Sequence, residues 1–350
     1  MKENLILPLA SSQSQEDDYK TDVELSLKVS EWLNTRAEFM HEVWSQTSSK
    51  QETDFSNDST EIAEQLVKIL THRVFNYQSK SNLSKIISEV RQNLERQINN
   101  GKTIKFFLLY NGGYRASSDL NQLDLIFEPD QTELLLLYQI ALLSDKIRAL
   151  YAHGIEFFIV INNGVAKWVN DIPIIHTENY ANQLREMIAF FGAEKNIKVL
   201  LQSELVCLEQ DFPLESFPSE TLLSEEDHLI VERFLGRKCS KDEAEYRIGL
   251  YKLAEEKWAE ELTSIVASKD GIIMRQVAHP DMLSFRPFPG GAIRTQNGTV
   301  GFHHDKNVLI PKLITSKSTI NFDVKRISCH FPWRNDVNDN VFYTNEVSNV

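Results

Sequence analysis

Side chains that handle anions and protons are concentrated late in the chain, between residues 274 and 310. This stretch contains three Arg, three His, four Gly and three Pro, a density of cations and chain-bending residues that is unusual for a regular element. Arg275 and His279 follow a β-prone run, and they share one strand face with Val277 if the strand continues that far. Arg offers a planar fork for a carboxylate or a phosphate, and His moves protons near neutral pH. The pair therefore predicts a site for an anionic small substrate.

Two further arginines, Arg286 and Arg294, lie in the same stretch on either side of a Pro-Gly-Gly sequence. The segment PFPGGAIRT (287–295) has no strand–GxGxxG–helix context. Gly290 and Gly291 therefore indicate a hairpin turn and not a dinucleotide-binding loop. Arg286 and Arg294 are predicted to contribute to substrate binding.

The segment FHHD (302–305) allows two interpretations. In the first, His303 and His304 are acid–base groups of a site that works without a metal. In the second, His303, Asp305 and His330 form the two-His, one-carboxylate triad that binds Fe(II). The HxD pattern is short and the α/β pattern upstream disagrees with the usual iron fold, so the metal-free interpretation is the prediction and iron is the alternative.

The elements that must position these groups are visible upstream as a change of hydrophobic period. Short apolar runs at 103–110, 155–161 and 196–202 are typical of buried strands, and helical patterns at 130–154 and 176–192 separate them. This alternation predicts right-handed crossovers within a parallel sheet. The predicted fold class is α/β, with a mainly parallel, Rossmann-like sheet flanked by helices. Ligands bind beyond the carboxyl ends of such strands.

Polar loops follow the first two predicted strands. The first loop, YNGGYRASSD, carries Arg115, Ser117 and Ser118, whose guanidinium and hydroxyl groups suit an anion. The second loop carries Asn162 and Lys167, which are predicted to line the same site. The Asn-Gly pair between them predicts a tight turn.

The rest of the pattern predicts an N-terminal helical region and extra strands near the C-terminus. We expect residues 1–57 to form a polar tail and a helix, 58–335 a single α/β catalytic domain, and 336–350 a C-terminal tail. Long helical patterns at 21–46 and 240–267 either cover the sheet or pair with a second subunit. A homodimer is therefore a possible assembly.

The composition excludes several classes of partner. The 350 residues include 37 basic and 50 acidic side chains, and the net charge of −13 makes nucleic acid and anionic membranes unexpected partners. No apolar run reaches the length of a membrane span. The three cysteines contain no CxxC pair, which argues against a disulfide framework and a structural zinc site and favours a cytoplasmic location.

The order of these motifs resembles the isonitrile (isocyanide) synthase family, which includes pyoverdine-cluster and dityrosine-formation enzymes. The resemblance covers roughly residues 60–310 and runs through EPDQTELLLL, IRALYAHGIEFFIVINNG and TENYANQLREMI to IIMRQVAHP. Arg275 and His279 keep the spacing of the family's Arg and His in the last of these segments. The two residues are therefore the part of the family pattern that this chain carries best.

Three positions depart from the family pattern. The family's Pro-x-Lys-Ser loop is replaced by YNGGYRASSDLN, in which Arg115 and Ser117 are the nearest equivalents. The family's Ser-Asp-Gly reads Asn-Asn-Gly at 162–164, so its acid is missing, and its Pro-Trp-His is replaced at 301–303. The missing acid favours a further alternative, a small-molecule binding protein that keeps the pocket without the catalysis.

The resemblance implies an enzyme that converts the amine of an α-amino acid to an isonitrile. The carbon would come from the C2 carbonyl of ribulose 5-phosphate after imine formation, so both partners are small molecules. This chemistry requires clamps for a carboxylate and a phosphate and groups that move protons, with no cofactor and no metal. The substrate-binding assignments are Arg115, Ser117, Ser118, Asn162, Lys167, Arg275, Arg286 and Arg294, and the catalytic assignments are His279, His303 and His304.

Overall fold

A computed structural model provides the fold. The residues it describes are 34–45, 58–76, 80–110, 115–116, 125–127, 129, 131–206, 228, 231–232, 238–276, 282–287, 291–295, 298–305 and 308–314. The strands are β1 (Ile104–Leu109), β2 (Arg115–Ala116), β3 (Leu125–Ile126), β4 (Ile155–Ile161), β5 (Ile197–Leu201), β6 (Ile272–Arg275), β7 (Leu283–Ser284), β8 (Gly291–Thr295), β9 (Gly298–Asp305) and β10 (Val308–Ile314). The helices are α1 (34–45), α2 (Ser59–Leu70), α3 (Lys80–Asn99), α4 (Gln131–Arg148), α5 (Ile174–Phe190) and α6 (Lys241–Ser268).

Five strands form the central sheet, in the order β5-β4-β1-β6-β7, and every neighbouring pair is parallel. β1 occupies the middle and pairs with β4 along its whole length. The strand sequences IKFFLL and IEFFIVI are apolar almost throughout, as expected for parallel strands that are covered on both faces. The structure confirms the predicted α/β class, with a parallel sheet flanked by helices.

Helices cover both faces of this sheet. One face, which includes Phe106, packs against α1 to α5 in the largest apolar core. The other face presents Phe107 and Val160 to Leu262 and Val266 of α6. Among the described helices, none combines the length and the apolar character that a membrane crossing requires. Successive residues of a strand point to opposite faces of the sheet. Because helices cover both faces, both sets of residues are apolar.

The N-terminal helical region is present as α1. Its Met40 is fully buried in the core that it shares with α2 to α5. The guanidinium of Arg148, at the end of α4, donates from Nη1 to the carbonyl of Val43 at 2.9 Å and lies 5.5 Å from the ring centroid of Trp44. The predicted domain boundaries at 57 and 335 stay predictions.

α4 ends earlier than the helical pattern at 130–154 predicts. The helix stops at Arg148, and Gly154, with a φ of +63°, turns the chain into β4. The apolar pattern continues beyond the helix because Tyr151 is still buried, at 6% exposure. Its hydroxyl donates to the carbonyl of Lys102 at 2.8 Å, so this turn is attached to the start of β1.

The predicted extra C-terminal strands form a separate antiparallel sheet in the order β10-β9-β8. β9 pairs with β10 from Thr299, opposite Ile314, to Asp305, opposite Val308. A second small ribbon consists of β2 and β3, which lie between β1 and α4 in the chain. Antiparallel pairing of this kind needs only short connections, and two residues separate β8 from β9 and β9 from β10.

Gly271 allows the start of β6 to approach α6, and this contact generates a prediction. A Cβ at Gly271 would lie 2.6 Å from Cε2 of Phe107 and 2.8 Å from Cγ1 of Val266. We expect Gly271→Ala to lower the free energy of unfolding by about 1–3 kcal/mol through overpacking, as measured by urea denaturation. Phe107→Leu supplies space, so the double variant is expected to lose less than the sum of the single losses. Strict additivity would contradict the packing explanation.

Candidate functional site

The carboxyl edge of the central sheet brings together segments that are distant in the chain. β4, β1 and β6 lie side by side, and Leu109 of β1 pairs with Val160 on one side and Arg275 on the other. Adjacent strands are about 4.8 Å apart, so the three strand ends lie within about 10 Å. The loops that carry most of the predicted site residues therefore begin next to one another.

Arg275 is the last residue of β6, and its carbonyl accepts a hydrogen bond from the N–H of Phe285 at 2.6 Å. Met274 belongs to the core under α1 to α5, and Ile273 packs on the α6 side. Since strand residues alternate, Arg275 lies on the α6 side, where it is half-buried. His279 lies outside the described residues and beyond the end of β6, so a shared face for the pair stays a prediction.

Arg286 is bound by the loop that follows α2. Its N–H donates to the carbonyl of Phe75 at 2.7 Å, and its Nη1 donates to the carbonyl of Arg73 at 2.9 Å. Nδ2 of Asn76, in the same loop, donates to the carbonyl of Ser284 at 3.0 Å. These contacts attach β7 to the loop after α2, and Arg286 helps to hold the two segments together. Its contact with a substrate stays a prediction.

The loop after β4 begins with a π-helical turn, Val165–Val169. Oδ1 of Asn162 accepts a hydrogen bond from the N–H of Val165 at 3.3 Å, so this side chain supports the start of the turn. Lys167 is exposed, and its Nζ lies 4.4 Å from the ring centroid of Trp168. Turns of this type are frequent at functional sites. Both residues lie at the carboxyl edge, and their substrate contacts stay predictions.

The Asn-Gly pair in this loop is not a tight turn, and that prediction is wrong. Gly164 has helical angles, φ −65° and ψ −49°. The glycine is needed for packing, because a Cβ would lie 2.8 Å from the ring of Trp258 and 2.9 Å from Oε1 of Gln202. Asn163 is buried, donates from Nδ2 to Oγ of Ser203 at 2.8 Å and accepts at Oδ1 from the N–H of Ser203 at 3.1 Å. It therefore joins the ends of β4 and β5.

α6 supports the same loop through an arginine that the sequence analysis missed. Nη1 of Arg247 donates to the carbonyl of Val169 at 2.6 Å, and Nη2 binds the carboxylate of Asp171. Asp171 has a φ of +54°, which is uncommon for a residue with a side chain. The Arg247 side chain is only 14% exposed, so the contact fixes the end of the π-helical turn against α6.

The loop after β1 contains the β2–β3 ribbon, and Arg115 lies in β2. The ring of Phe127, directly after β3, stacks on the ring of His176 with centroids 4.3 Å apart. His176 belongs to the first turn of α5, which follows the loop after β4. The stack therefore brings the ribbon with Arg115 towards the carboxyl edge. Ser117 and Ser118 lie outside the described residues.

The register of the antiparallel sheet separates the two adjacent histidines. Arg294 pairs with position 299 of β9, and successive positions on a strand alternate between faces. Positions 294, 303 and 305 therefore share one face, whereas His304 occupies the other. His303 is the histidine on the same face as Arg294 and Asp305. The catalytic assignments of His303 and His304 stay predictions, and position 330 of the iron alternative lies outside the described residues.

A buried carboxylate below the edge was also missed by the sequence analysis. Glu133, in the first turn of α4, is fully buried. Its Oε1 accepts hydrogen bonds from the hydroxyls of Tyr110 at 2.9 Å and Tyr180 at 2.6 Å. Two O–H donors on one oxygen, together with the amino end of a helix, stabilise an acid inside the protein. Tyr110 directly follows β1, so Glu133 fixes the first residue of the loop that leads to Arg115.

The signal that could have identified Glu133 is its position in the apolar run TELLLLYQIALL. A single acid in the first turn of a helix is usually explained by the helix dipole and solvent exposure. The surrounding leucines indicate instead that the whole turn is buried, and a buried carboxylate must be hydrogen-bonded.

Two predicted anion-binding residues lie at or near the described edge. Arg275 is half-buried at the end of β6, and the backbone of Arg115 lies in a ribbon near the same edge. Their contact with an anion stays a prediction. The amide of Asn163 and the hydroxyl of Ser203 are paired with each other, so they shape the edge. The carboxyl group of Glu133 and the hydroxyls of its two tyrosines form a buried hydrogen-bond network that supports the edge from inside the protein.

Comparisons with known proteins support the fold assignment. No protein-family profile matches the chain, and no curated protein matches it. The solved structure of PvcA from Pseudomonas aeruginosa has a similar fold, with a TM-score of 0.50 and 20% sequence identity over 71% of this chain and 98% of that chain. The likeness that the sequence motifs predicted is thus confirmed at the level of the fold.

The buried Glu133 network generates a prediction about stability. Tyr180→Phe removes a donor from a buried carboxyl group, so we expect a loss of about 1.5–3 kcal/mol in the free energy of unfolding. Tyr151→Phe is the matched control, because that hydroxyl donates to the neutral carbonyl of Lys102. Its expected loss is about 1 kcal/mol. Urea denaturation at neutral pH measures both, and equal losses would contradict a stronger hydrogen bond to Glu133 than to a backbone carbonyl.

Proposed function

We propose that the protein is an isonitrile synthase-like enzyme that acts on an α-amino acid. In this proposal the amine condenses with the C2 carbonyl of ribulose 5-phosphate and releases water. Acid–base catalysis then cleaves the C1–C2 and C2–C3 bonds of the imine, so that C2 becomes the isonitrile carbon and the sugar leaves as a one-carbon fragment and a three-carbon fragment with the phosphate. Two independent findings support it. The order of sequence motifs resembles the isonitrile synthase family, and the fold is similar to that of PvcA from Pseudomonas aeruginosa.

The observation that carries the proposal is the adjacency of three motif-bearing strand ends. The segments that resemble the family's loops after β1 and β4 and its Arg-containing strand β6 are far apart in the chain, but β1 pairs with both other strands. In open α/β sheets the ligand binds at such an edge. The resemblance therefore concerns segments that meet in space, which is expected if they form one site.

The proposed roles follow from the chemistry of each side chain. Arg275 and Arg115 would bind the carboxylate of the amino acid and the phosphate of the sugar, since a guanidinium binds either group with two hydrogen bonds. His279 and His303 would move protons during imine formation and rearrangement. The remaining proposed contacts, which include Arg294, would come from the loops and the antiparallel strands around the same edge.

The missing family acid at position 163 does not disturb the edge. Asn163 accepts the Ser203 N–H and donates to the Ser203 hydroxyl. A carboxylate at this position could accept both the N–H and the O–H of Ser203, so the same geometry suits Asp and Asn. The alternative, a binding protein without catalysis, rests only on the chemical difference between the amide of Asn163 and the carboxylate of the family pattern. The iron alternative rests on the shared strand face of His303 and Asp305.

The test incubates the purified protein with individual amino acids and ribulose 5-phosphate labelled with ¹³C at C2. We expect an isonitrile that carries the label, detected by its infrared stretch and by mass spectrometry, without added iron. Arg275→Ala is expected to lower kcat/KM about 100-fold through loss of a charge-assisted contact. Arg91→Ala, on an exposed part of α3, is the matched control and is expected to retain activity.

Three outcomes separate the alternatives. Iron bound by the purified protein in metal analysis would support the iron alternative, a non-haem Fe(II) oxygenase, because the proposal predicts no bound iron. Calorimetric binding of both compounds without turnover, with turnover gained in Asn163→Asp, would support the binding protein. The absence of product and of binding across aromatic and aliphatic amino acids would refute the proposal.

A further inference from the structure

Three potential metal ligands come together just before α6. Nε2 of His228, a carboxylate oxygen of Glu232 and Sγ of Cys239 all lie within 4.8 Å of one another, and each residue is partly buried. In the described part of the chain, no other group of three or more His, Cys, Asp or Glu side chains is close enough to hold an ion. The donors are of three chemical types, which distinguishes the group from an ordinary acidic surface cluster.

Local structure holds the three side chains together without a metal. His228 and Glu232 lie one helical turn apart, and His228 Nε2 is 3.7 Å from Glu232 Oε1. Glu232 Oε1 accepts a hydrogen bond from the N–H of Cys239 at 3.2 Å, and His228 Nε2 lies 3.0 Å from the Cys239 carbonyl oxygen. Ser240 then caps α6 by accepting from the N–H of Glu243 at 3.1 Å. The ligands are therefore prearranged around the first residue of α6.

We propose that His228, Glu232 and Cys239 bind a divalent transition metal ion of the zinc type, with solvent in the fourth position. Thiolate, imidazole and carboxylate form a ligand set that zinc accepts, whereas Mg²⁺ and Ca²⁺ require oxygen ligands. Ligands bound at about 2.0–2.3 Å in a tetrahedron lie roughly 3.3–3.8 Å apart. Small side-chain rotations bring donors from within 4.8 Å to that separation.

The Cys239 thiol loses one proton to solvent when its sulfur binds the ion. His228 gives up its contact with the Cys239 carbonyl and binds through Nε2 as the tautomer with its proton on Nδ1. Glu232 binds as the carboxylate. Nζ of Lys238 is 2.7 Å from Glu232 Oε2, but its side chain is 87% exposed and can turn away from the ion.

The location of the site gives the metal a structural effect. Arg247 and Trp258, further along α6, contact the loop after β4 at the carboxyl edge of the sheet. A metal that joins His228 and Glu232 to Cys239, just before α6, would hold this helix in place from its amino end. Metal binding is therefore expected to stabilise the folded protein, independently of its catalytic activity.

The experiment uses the full-length protein after chelation and dialysis. Titration with Co²⁺ is expected to give one equivalent of bound ion, with the visible absorption of four-coordinate cobalt and a near-ultraviolet thiolate charge-transfer band. Zn²⁺ is expected to displace the cobalt and to raise Tm. Cys239→Ser is expected to abolish the thiolate band, and His228→Gln to lower zinc affinity about 100-fold or more.

Two variants serve as controls. The Cys207→Ser/Cys329→Ser double variant retains Cys239 and is expected to keep the full cobalt spectrum. Lys238→Ala removes a neighbouring positive charge and is expected to raise zinc affinity severalfold. The proposal is overturned if the wild-type protein binds no stoichiometric ion, or if the thiolate band persists in Cys239→Ser and disappears in the double variant.

Discussion

Parallel pairing of β1 with β4 and β6 is the constraint on which the rest of the structure depends. Parallel strands direct their carboxyl ends to one side, so the loops after Leu109, Ile161 and Arg275 leave the sheet together. The same arrangement buries both faces of the sheet, because each crossover lays a helix over it. The apolar strands and the polar strand ends are thus two consequences of one topology.

α6 controls the edge as well as covering one face. Its Trp258 packs so closely on the loop after β4 that only glycine fits at position 164. Arg247 binds the end of the same loop, where Asp171 adopts a left-handed backbone conformation. At the other end of the helix, Gly271 allows β6 to begin directly below it. A change in the position of α6 would therefore move the loop after β4 and the strand that carries Arg275.

Two buried polar side chains at the edge, Glu133 and Asn163, have hydrogen-bond partners within the protein, and these contacts make the edge more rigid. Glu133 receives two tyrosine hydroxyls, and Asn163 exchanges two hydrogen bonds with Ser203. Burial of such groups without partners would cost several kilocalories per mole, so each pair resists rearrangement. A rigid edge would hold a bound small molecule in one geometry. Asn163 contributes to this rigidity through its two hydrogen bonds with Ser203.

The sequence by itself determined the fold class, because apolar periodicity is local. The run 155–161 is strand β4 at the same residues, and the α/β alternation followed from such runs. Only the tertiary structure decided what Gly164, Glu133 and Arg247 do, and that Cys239 lies beside a histidine and a glutamate. The first three depend on a partner distant in the chain or on burial of a whole turn, and Cys239 lies close to residues 7 and 11 positions away only because of the path of the chain. Local spacing cannot encode such contacts, since they arise only when packing of the sheet and its helices brings the partners together.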